Sequence, residues 1–185
     1  KQAGAKRTVE EVNAKGGVEV AGKKYMLELV SEDDGADPKQ GTTVAQKIAD
    51  DKSISAVIGH YNSGVTMAAQ PIYAKAGLVA ITPSATNPDV TVKASKSESG
   101  GTLMYRMVAH DGMQGPALAV YAQKKGVKTI AIVDDATTYG KGMADQVEKK
   151  AKELGLTVVS HDAATDKTTD FKNILTKIKG AGADA

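Results

Sequence analysis

Residues 55–88 read SAVIGHYNSGVTMAAQPIYAKAGLVAITPSATNP and contain a complete strand–helix–strand unit. The short apolar run SAVIG predicts a buried strand, and LVAIT at 78–82 predicts another. Between them, residues 63–77 predict a helix that ends at Gly77, because glycine readily adopts the left-handed conformation that terminates helices. The unit therefore indicates parallel strands connected by a helix.

The same alternation continues on both sides of this unit. On the N-terminal side the sequence predicts a helix at 1–15, a strand at 23–30, and a helix at 38–50 that has proline in its first turn. On the C-terminal side it predicts a surface loop at 83–101, a strand at 102–108, a helix capped by Asp111, a strand at 128–135, a helix at 139–154, a strand at 156–162 and a helix at 169–179. This order is typical of an α/β fold with doubly wound parallel sheets.

Both ends of the chain depart from a complete flavodoxin-like order. The chain begins with a helix where that order needs an inner strand, and GAGADA at 180–185 resembles a helix-to-strand turn whose strand does not follow. We therefore expect the fold to be incomplete at both ends and the chain to belong to a longer protein. A change in sequence character around 107–115 predicts a boundary between residues 1–108 and 109–185.

Composition excludes several classes of protein. The chain has 185 residues, 41% hydrophobic and 25% charged, and its net charge of +2 includes no long run of one sign. This balanced charge predicts no nucleic-acid binding. We also expect no stable membrane insertion, since the apolar runs are far shorter than the ~20 residues of a membrane-spanning helix. The absence of cysteine excludes disulfides, zinc–thiolate sites and thiol catalysis.

Hydroxyl side chains follow the predicted strands at three places. Ser63 lies between SAVIG and its helix, where an N-cap belongs, and Thr66 falls on the same opening turn. Thr86 lies in the proline-bounded loop PSATNP, and Tyr139 begins a helix in the other half of the chain. Taken singly, an N-cap, a turn residue and a surface tyrosine explain Ser63, Thr86 and Tyr139; their recurrence at successive strand ends favours a ligand site.

The residue types at these strand ends suit a zwitterion. A helix start with unpaired N–H groups and a hydroxyl favours a carboxylate, and loop carbonyls together with the Thr86 hydroxyl suit an ammonium group. By contrast, no GxGxxG or GxxxxGK[ST] motif is present, and Ser63 is not in a GxSxG elbow. The three histidines lack metal-ligand spacing, and EDDGAD at 32–37 is better explained as an acidic turn than as a calcium loop. We therefore expect no catalytic residues, no metal and no cofactor.

Four separated motifs carry a family resemblance: VEEVNAKGGV at 9–18, AVIGHYNSGVT through SATNP at 56–88, MYRMVAHDGMQGPALA at 104–119 and IAIVDDATTYGKGMADQV at 130–147. In this order they resemble the leucine/isoleucine/valine-binding proteins of bacterial ABC importers, which have the type I periplasmic binding fold. The resemblance implies a two-lobed clamshell that traps a free amino acid, branched-chain or similar, and delivers it to permease subunits. It also implies a periplasmic location, with a signal peptide upstream of the given residues.

The resemblance also implies roles for individual residues. The ligand's α-carboxylate and α-ammonium groups would be held by Ser63, Ser84, Ala85 and Thr86, with backbone groups from the latter loop. Tyr139 resembles the second-lobe residue that closes over the ligand, and Tyr61 stands where the family places a side-chain-pocket residue. The family's opening strand, its later second-lobe strands with an acidic residue that meets the ammonium, and its closing hinge segments have no counterpart in these residues.

Two functions of other classes remain open on the sequence. One is a ligand-sensing domain of a receptor or regulator with the same fold, and the other, less favoured, is an α/β enzyme. A signal peptide ahead of the chain would favour the transport function, whereas a DNA-binding or membrane segment would favour the sensor.

Overall fold

The computed structural model describes residues 2–185, which form helices and strands in alternation. The helices are α1 (Gln2–Ala14), α2 (Pro38–Asp50), α3 (Ser63–Ala76), α4 (Asp89–Val92), α5 (Asp111–Lys124), α6 (Thr138–Glu153) and α7 (Lys172–Ala181). The strands are β1 (Val18–Val20), β2 (Lys23–Tyr25), β3 (Ala56–Ile58), β4 (Val79–Thr82), β5 (Met104–Arg106), β6 (Thr129–Asp134) and β7 (Thr157–Ala163). The α/β class with parallel sheets, predicted from sequence, is confirmed.

The first parallel sheet has the strand order β3–β4–β5. Val57 is paired with Ala80, and Ala80 in turn with Met104, so the three side chains share one face of the sheet. Helices α2 and α3 pack together against this sheet and bury a core of mostly small side chains. That core consists of Ala45, Val57, Ala69, Tyr73, Ala80, Ala85, Val90 and Met104.

The second parallel sheet pairs β6 with β7, and α5 and α6 pack together beside it. Its core consists of Ala119, Ile130, Ile132, Ala144, Ala151 and Leu156. The last residues of the chain run along β6, where the Ala131 N–H donates to the Ala185 carbonyl at 2.8 Å. The two sheets are separate, and the proposed boundary near residue 108 falls in the segment that connects them.

The predicted strand at 23–30 is much shorter than expected. Only Lys23–Tyr25 is a strand, and it pairs antiparallel with β1, which the sequence analysis missed. Beyond it, Asn13 makes two hydrogen bonds to Leu27, because its Nδ2 donates to the Leu27 carbonyl and its Oδ1 accepts the Leu27 N–H, each at 2.8 Å. The apolar side chains of 26–30 are exposed, so the alternating pattern does not correspond to a buried sheet face.

Three smaller expectations were also wrong. SAVIG forms β3, but only Val57 in that strand is buried, and Ile58 is 67% exposed. The predicted surface loop at 83–101 contains the short helix α4. Asp111 is the first residue of α5 rather than its N-cap, because His110 has the extended backbone of a cap residue.

The predicted helix 38–50 is reproduced to the residue, and α3 ends as expected at Gly77, whose φ is 71°. Within residues 2–185, no helix combines the length and the apolar character needed to cross a bilayer.

Candidate functional site

The loops after β3 and β4 meet at the carboxyl ends of these strands. The Asn87 N–H donates to Ser63 Oγ at 3.2 Å, which joins two of the predicted ligand-binding segments. Ser63 is the first residue of α3 and only 1% exposed, so its hydroxyl faces the loop at 83–88. The N-cap is Asn62 rather than Ser63, because Asn62 has the extended backbone conformation that precedes a helix.

Helix α3 begins without a side-chain cap, unlike α2 and α6. Asp37 caps α2 by accepting the N–H groups of Lys39 and Gln40 at 2.8 Å, and Thr137 caps α6 through the Gly140 N–H at 2.9 Å. Asn62 makes no such bond. The first intrahelical bond of α3 runs from the Thr66 N–H to the Asn62 carbonyl, so the N–H groups of residues 63–65 lie ahead of it. This uncapped positive helix end suits an anionic group.

The Thr66 hydroxyl is used within its own helix. It donates to the Asn62 carbonyl at 2.9 Å, and Thr66 is 1% exposed. The hydroxyl thereby stabilises the first turn of α3, and a direct contact between Thr66 and a ligand stays a prediction.

A buried threonine shapes the loop that carries Ser84, Ala85 and Thr86. Thr82 Oγ1 donates to the His60 carbonyl at 2.7 Å and accepts the N–H groups of Ser84 at 3.2 Å and Ala85 at 2.9 Å. Ala85 is buried, whereas Ser84 and Thr86 are partly exposed. One hydroxyl therefore links both strand-end loops and fixes the direction of the backbone at 84–86.

Asn87 connects this loop to the second half of the chain. Its Nδ2 donates to the Thr138 carbonyl at 3.0 Å, directly before Tyr139. The backbone of α3 is also close, since a methyl group at Gly64 would lie 3.0 Å from Thr138 Oγ1. Tyr139 is thus brought to the same end of the molecule as Ser63 and is 43% exposed. Tyr61, on the loop before α3, is 59% exposed.

Charged residues that the sequence analysis did not assign to the site lie beneath this loop. Arg106 donates from Nη1 to the Asn87 carbonyl and from Nη2 to Thr91 Oγ1, both at 2.8 Å. Burial lowers the pKa of Arg106, and the charge of Asp111 opposes that shift. The signal in the sequence was an arginine within the otherwise apolar run TLMYRMV.

Asp111 is completely buried at the start of α5. Its N–H donates to the Thr86 carbonyl at 2.9 Å, while neither carboxylate oxygen has a hydrogen-bond partner within residues 2–185. Burial raises the pKa of Asp111, and Thr86, Arg106 and His110 each oppose the shift.

His60 has a structural role beneath α3. Its Nδ1 lies 2.7 Å from Asp34 Oδ2 and its Nε2 lies 2.8 Å from the Tyr73 hydroxyl, with the two rings stacked. Burial, together with the charge of Asp34, raises the pKa of Tyr73. The contact ties the acidic turn at 32–37 to the first sheet. In the part of the chain that the structure describes, no group of three or more acidic, histidine or cysteine side chains is arranged to hold a metal.

Comparison with known proteins gives consistent matches. Residues 1–185 match the sequence model of a family described as periplasmic binding protein. A protein of Brucella melitensis named Leu/Ile/Val-binding protein homolog 1 is 39% identical over 185 residues, covering 99% of this chain and 47% of that protein.

Two solved structures are similar in both sequence and fold. An ABC transporter substrate-binding protein of Desulfitobacterium hafniense, in complex with Leu, is 33% identical with a TM-score of 0.72, covering 97% of this chain and 50% of that one. The branched-chain amino acid transporter substrate-binding protein of Streptococcus pneumoniae, in complex with isoleucine, is 30% identical with a TM-score of 0.80, covering 97% and 48%. The chain spans about half the length of the relatives it matches.

Proposed function

Because the chain belongs to the family of periplasmic binding proteins, we propose that it serves in the capture of a free branched-chain or similar amino acid between two lobes. The observation that carries the proposal is the junction at Asn87. There the Ser63 and Thr86 loops of the first sheet meet the segment before Tyr139 from the second half of the chain. Relatives named as Leu/Ile/Val-binding proteins support the choice of ligand class.

The α-carboxylate of the amino acid would bind at the start of α3. The uncapped N–H groups of residues 63–65 and the Ser63 hydroxyl together offer donors at the positive end of the helix dipole. Charge-assisted hydrogen bonds of this kind are roughly twice as strong as neutral ones. Thr66 contributes to the same first turn, where its hydroxyl holds the Asn62 carbonyl.

The α-ammonium group would bind at the loop after β4. The Thr86 hydroxyl and the backbone carbonyls of Ser84 and Ala85 provide acceptors, and Thr82 holds that backbone in place. Tyr61 would line the pocket for the ligand's side chain. Closure would bring Tyr139 over the ligand, with residues 1–108 in one lobe and 109–185 in the other.

Trapping between lobes explains how uncharged hydroxyls hold a charged ligand. Closure excludes the water that competes for the same hydrogen bonds, so each remaining bond becomes stronger. The closed form would be the one recognised by the permease subunits of an ABC importer. This function places the protein in the periplasm and requires a signal peptide ahead of the mature sequence. The relatives are named as binding proteins, which supports a function without catalysis.

Calorimetric titration of the full-length protein with a panel of free amino acids tests the proposal. We expect leucine, isoleucine or valine to bind tightly, and Ser63→Ala to weaken that binding by about 1–3 kcal/mol, because a charged ligand group loses a partner. Ser31→Ala, at an exposed position outside the site, is the matched control. Absence of binding to every amino acid in the panel would contradict the function; unchanged affinity in Ser63→Ala would contradict the site.

A further inference from the structure

A buried carboxylate lies next to the loop of the proposed ammonium site, since the Asp111 N–H donates to the Thr86 carbonyl. Asp111 is 0% exposed, and neither of its carboxylate oxygens has a hydrogen-bond partner in residues 2–185. Burial of an unpaired carboxylate is costly, so proteins generally pair such groups or protonate them. The side chain therefore calls for an explanation beyond helix formation.

The neighbouring cation does not neutralise Asp111 by direct contact. The guanidinium of Arg106 is directed at the Asn87 carbonyl and at Thr91 Oγ1, both at 2.8 Å. His110 precedes Asp111 in the chain, and its Nδ1 is buried without a hydrogen-bond partner among residues 2–185. Burial raises the pKa of Asp111 more than Thr86, Arg106 and His110 together lower it.

Asp111 is physically coupled to Thr86. The Asp111 N–H donates to the Thr86 carbonyl at 2.9 Å, which fixes the first turn of α5 against the loop. The Thr86 side chain also lowers the pKa of Asp111. Thr86 is partly exposed while Asp111 is fully buried, so Thr86 is accessible to a ligand and the Asp111 carboxylate is not.

We propose that Asp111 is an indirect counter-charge for the ligand's α-ammonium group, acting through the Thr86 hydroxyl; this inference rests on the proposed function. A carboxylate behind the hydroxyl attracts its proton, so the oxygen lone pairs turn toward the ligand as acceptors. In a site closed to water, the negative charge also favours an ammonium over a neutral group at that position. Asp111 is thus a positioning residue that selects for an amino group.

The test compares Asp111→Asn with the unmodified full-length protein, using leucine and its hydroxy analogue 2-hydroxy-4-methylpentanoate as probes. We expect the variant to lose about tenfold or more in leucine affinity, the equivalent of one charge-assisted hydrogen bond. Affinity for the hydroxy acid should fall much less, because that ligand has no positive charge. The urea midpoint should stay unchanged or rise, because a buried charge has been removed.

Asp166→Asn is the matched control, since it makes the same charge change on an exposed turn. Should Asp111→Asn fail to fold, Asp111→Ser keeps a polar residue at the helix start without the charge. Its affinities for leucine and for the hydroxy acid are then measured in the same way. Equal losses for both ligands, an unchanged leucine affinity, or a loss of affinity that accompanies a lower urea midpoint would each overturn the proposal. Failure of the unmodified protein to bind leucine would instead contradict the proposed function.

Discussion

Thr82 and His161 hold the ends of their strands in place through side-chain hydrogen bonds. Thr82 joins the His60 carbonyl to the N–H groups of the following loop. In the second sheet, His161 Nε2 lies 2.9 Å from Asp134 Oδ2 and its Nδ1 lies 2.6 Å from Glu148 Oε2. Asp134 uses its other oxygen to accept the Ala136 N–H, where φ is 59°. The histidine therefore stabilises the turn that leads to Tyr139.

The His161 contact predicts a pH dependence of stability. Burial lowers the pKa of His161, but the hydrogen bonds and charges of Glu148 and Asp134 outweigh it, so the pKa is raised overall. The folded state then binds the proton more tightly than the unfolded state. The resulting stabilisation is complete below the unfolded-state pKa of about 6.5 and is lost as the pH rises through the folded-state value.

We therefore expect His161→Gln to lower the melting temperature most at mildly acidic pH, with a difference that narrows as the pH rises. Thermal unfolding by circular dichroism across this range measures the effect. Lys167→Gln removes a charge from an exposed position and should leave the pH profile unchanged. A difference that stays constant, or widens at higher pH, would contradict the predicted direction.

The helices differ in how their first turns are satisfied. Asp37 caps α2 and Thr137 caps α6, whereas α3, α4, α5 and α7 begin without a side-chain cap. α2 has a full side-chain cap from Asp37, whereas α3 has none from Asn62. The capped helix gains stability from within the protein, while the uncapped one leaves donors for a ligand.

This contrast gives a prediction about two helix starts. Asp37→Ala should lower the free energy of unfolding by about 1 kcal/mol, since it removes the acceptor for two N–H groups. Asn62→Ala should lower the free energy of unfolding by only a few tenths of a kcal/mol, because no cap hydrogen bond is lost. Urea denaturation of both variants measures the two values. Equal costs would show that Asn62 caps α3 in solution and would weaken the carboxylate site.

Sequence patterns predicted the elements whose signals are local. α2 and α3 carry proline at the start or glycine at the end, and both were located correctly. The strand at 23–30 was wrong because pairing depends on a neighbouring strand, which alternation alone cannot reveal. β1 was missed because three residues between glycine-rich turns are too short to show a period.

The sequence predicted which segments form the candidate site, but not the contacts that connect them. Strand-end logic and the family resemblance both indicated Ser63, Thr86 and Tyr139, and the family itself is confirmed by the comparisons. Asn87 and Asp111, which belong to the proposed site, were not predicted from the sequence. Their roles depend on contacts with residues 24 to 51 positions away, or on burial in the folded chain, and neither is visible in a short motif.

The two halves of the chain touch where the loops of the proposed site converge. α3 packs against α6, and the Asn87 side chain bonds to the Thr138 carbonyl at 3.0 Å. The same residue also accepts the Asp89 N–H through Oδ1 at 2.9 Å. The Asn87 side-chain amide therefore both shapes the loop at 83–88 and joins the two halves of the chain. A shorter side chain at this position would not span the distance to the Thr138 carbonyl.

Shortening this amide should weaken the closed form without unfolding either half. Asn87→Ser keeps a short acceptor for the Asp89 N–H, as serine does in similar turns, but cannot reach the Thr138 carbonyl. We expect the full-length variant to bind leucine about tenfold more weakly, the loss of one hydrogen bond, and to do so mainly through faster dissociation. Stopped-flow fluorescence resolves the two rate constants, and Asn173→Ser, at an exposed position on α7, is the control. Because association is governed by the open form, a slower association with unchanged dissociation would show that Asn87 shapes the ligand loop but does not hold the two halves together.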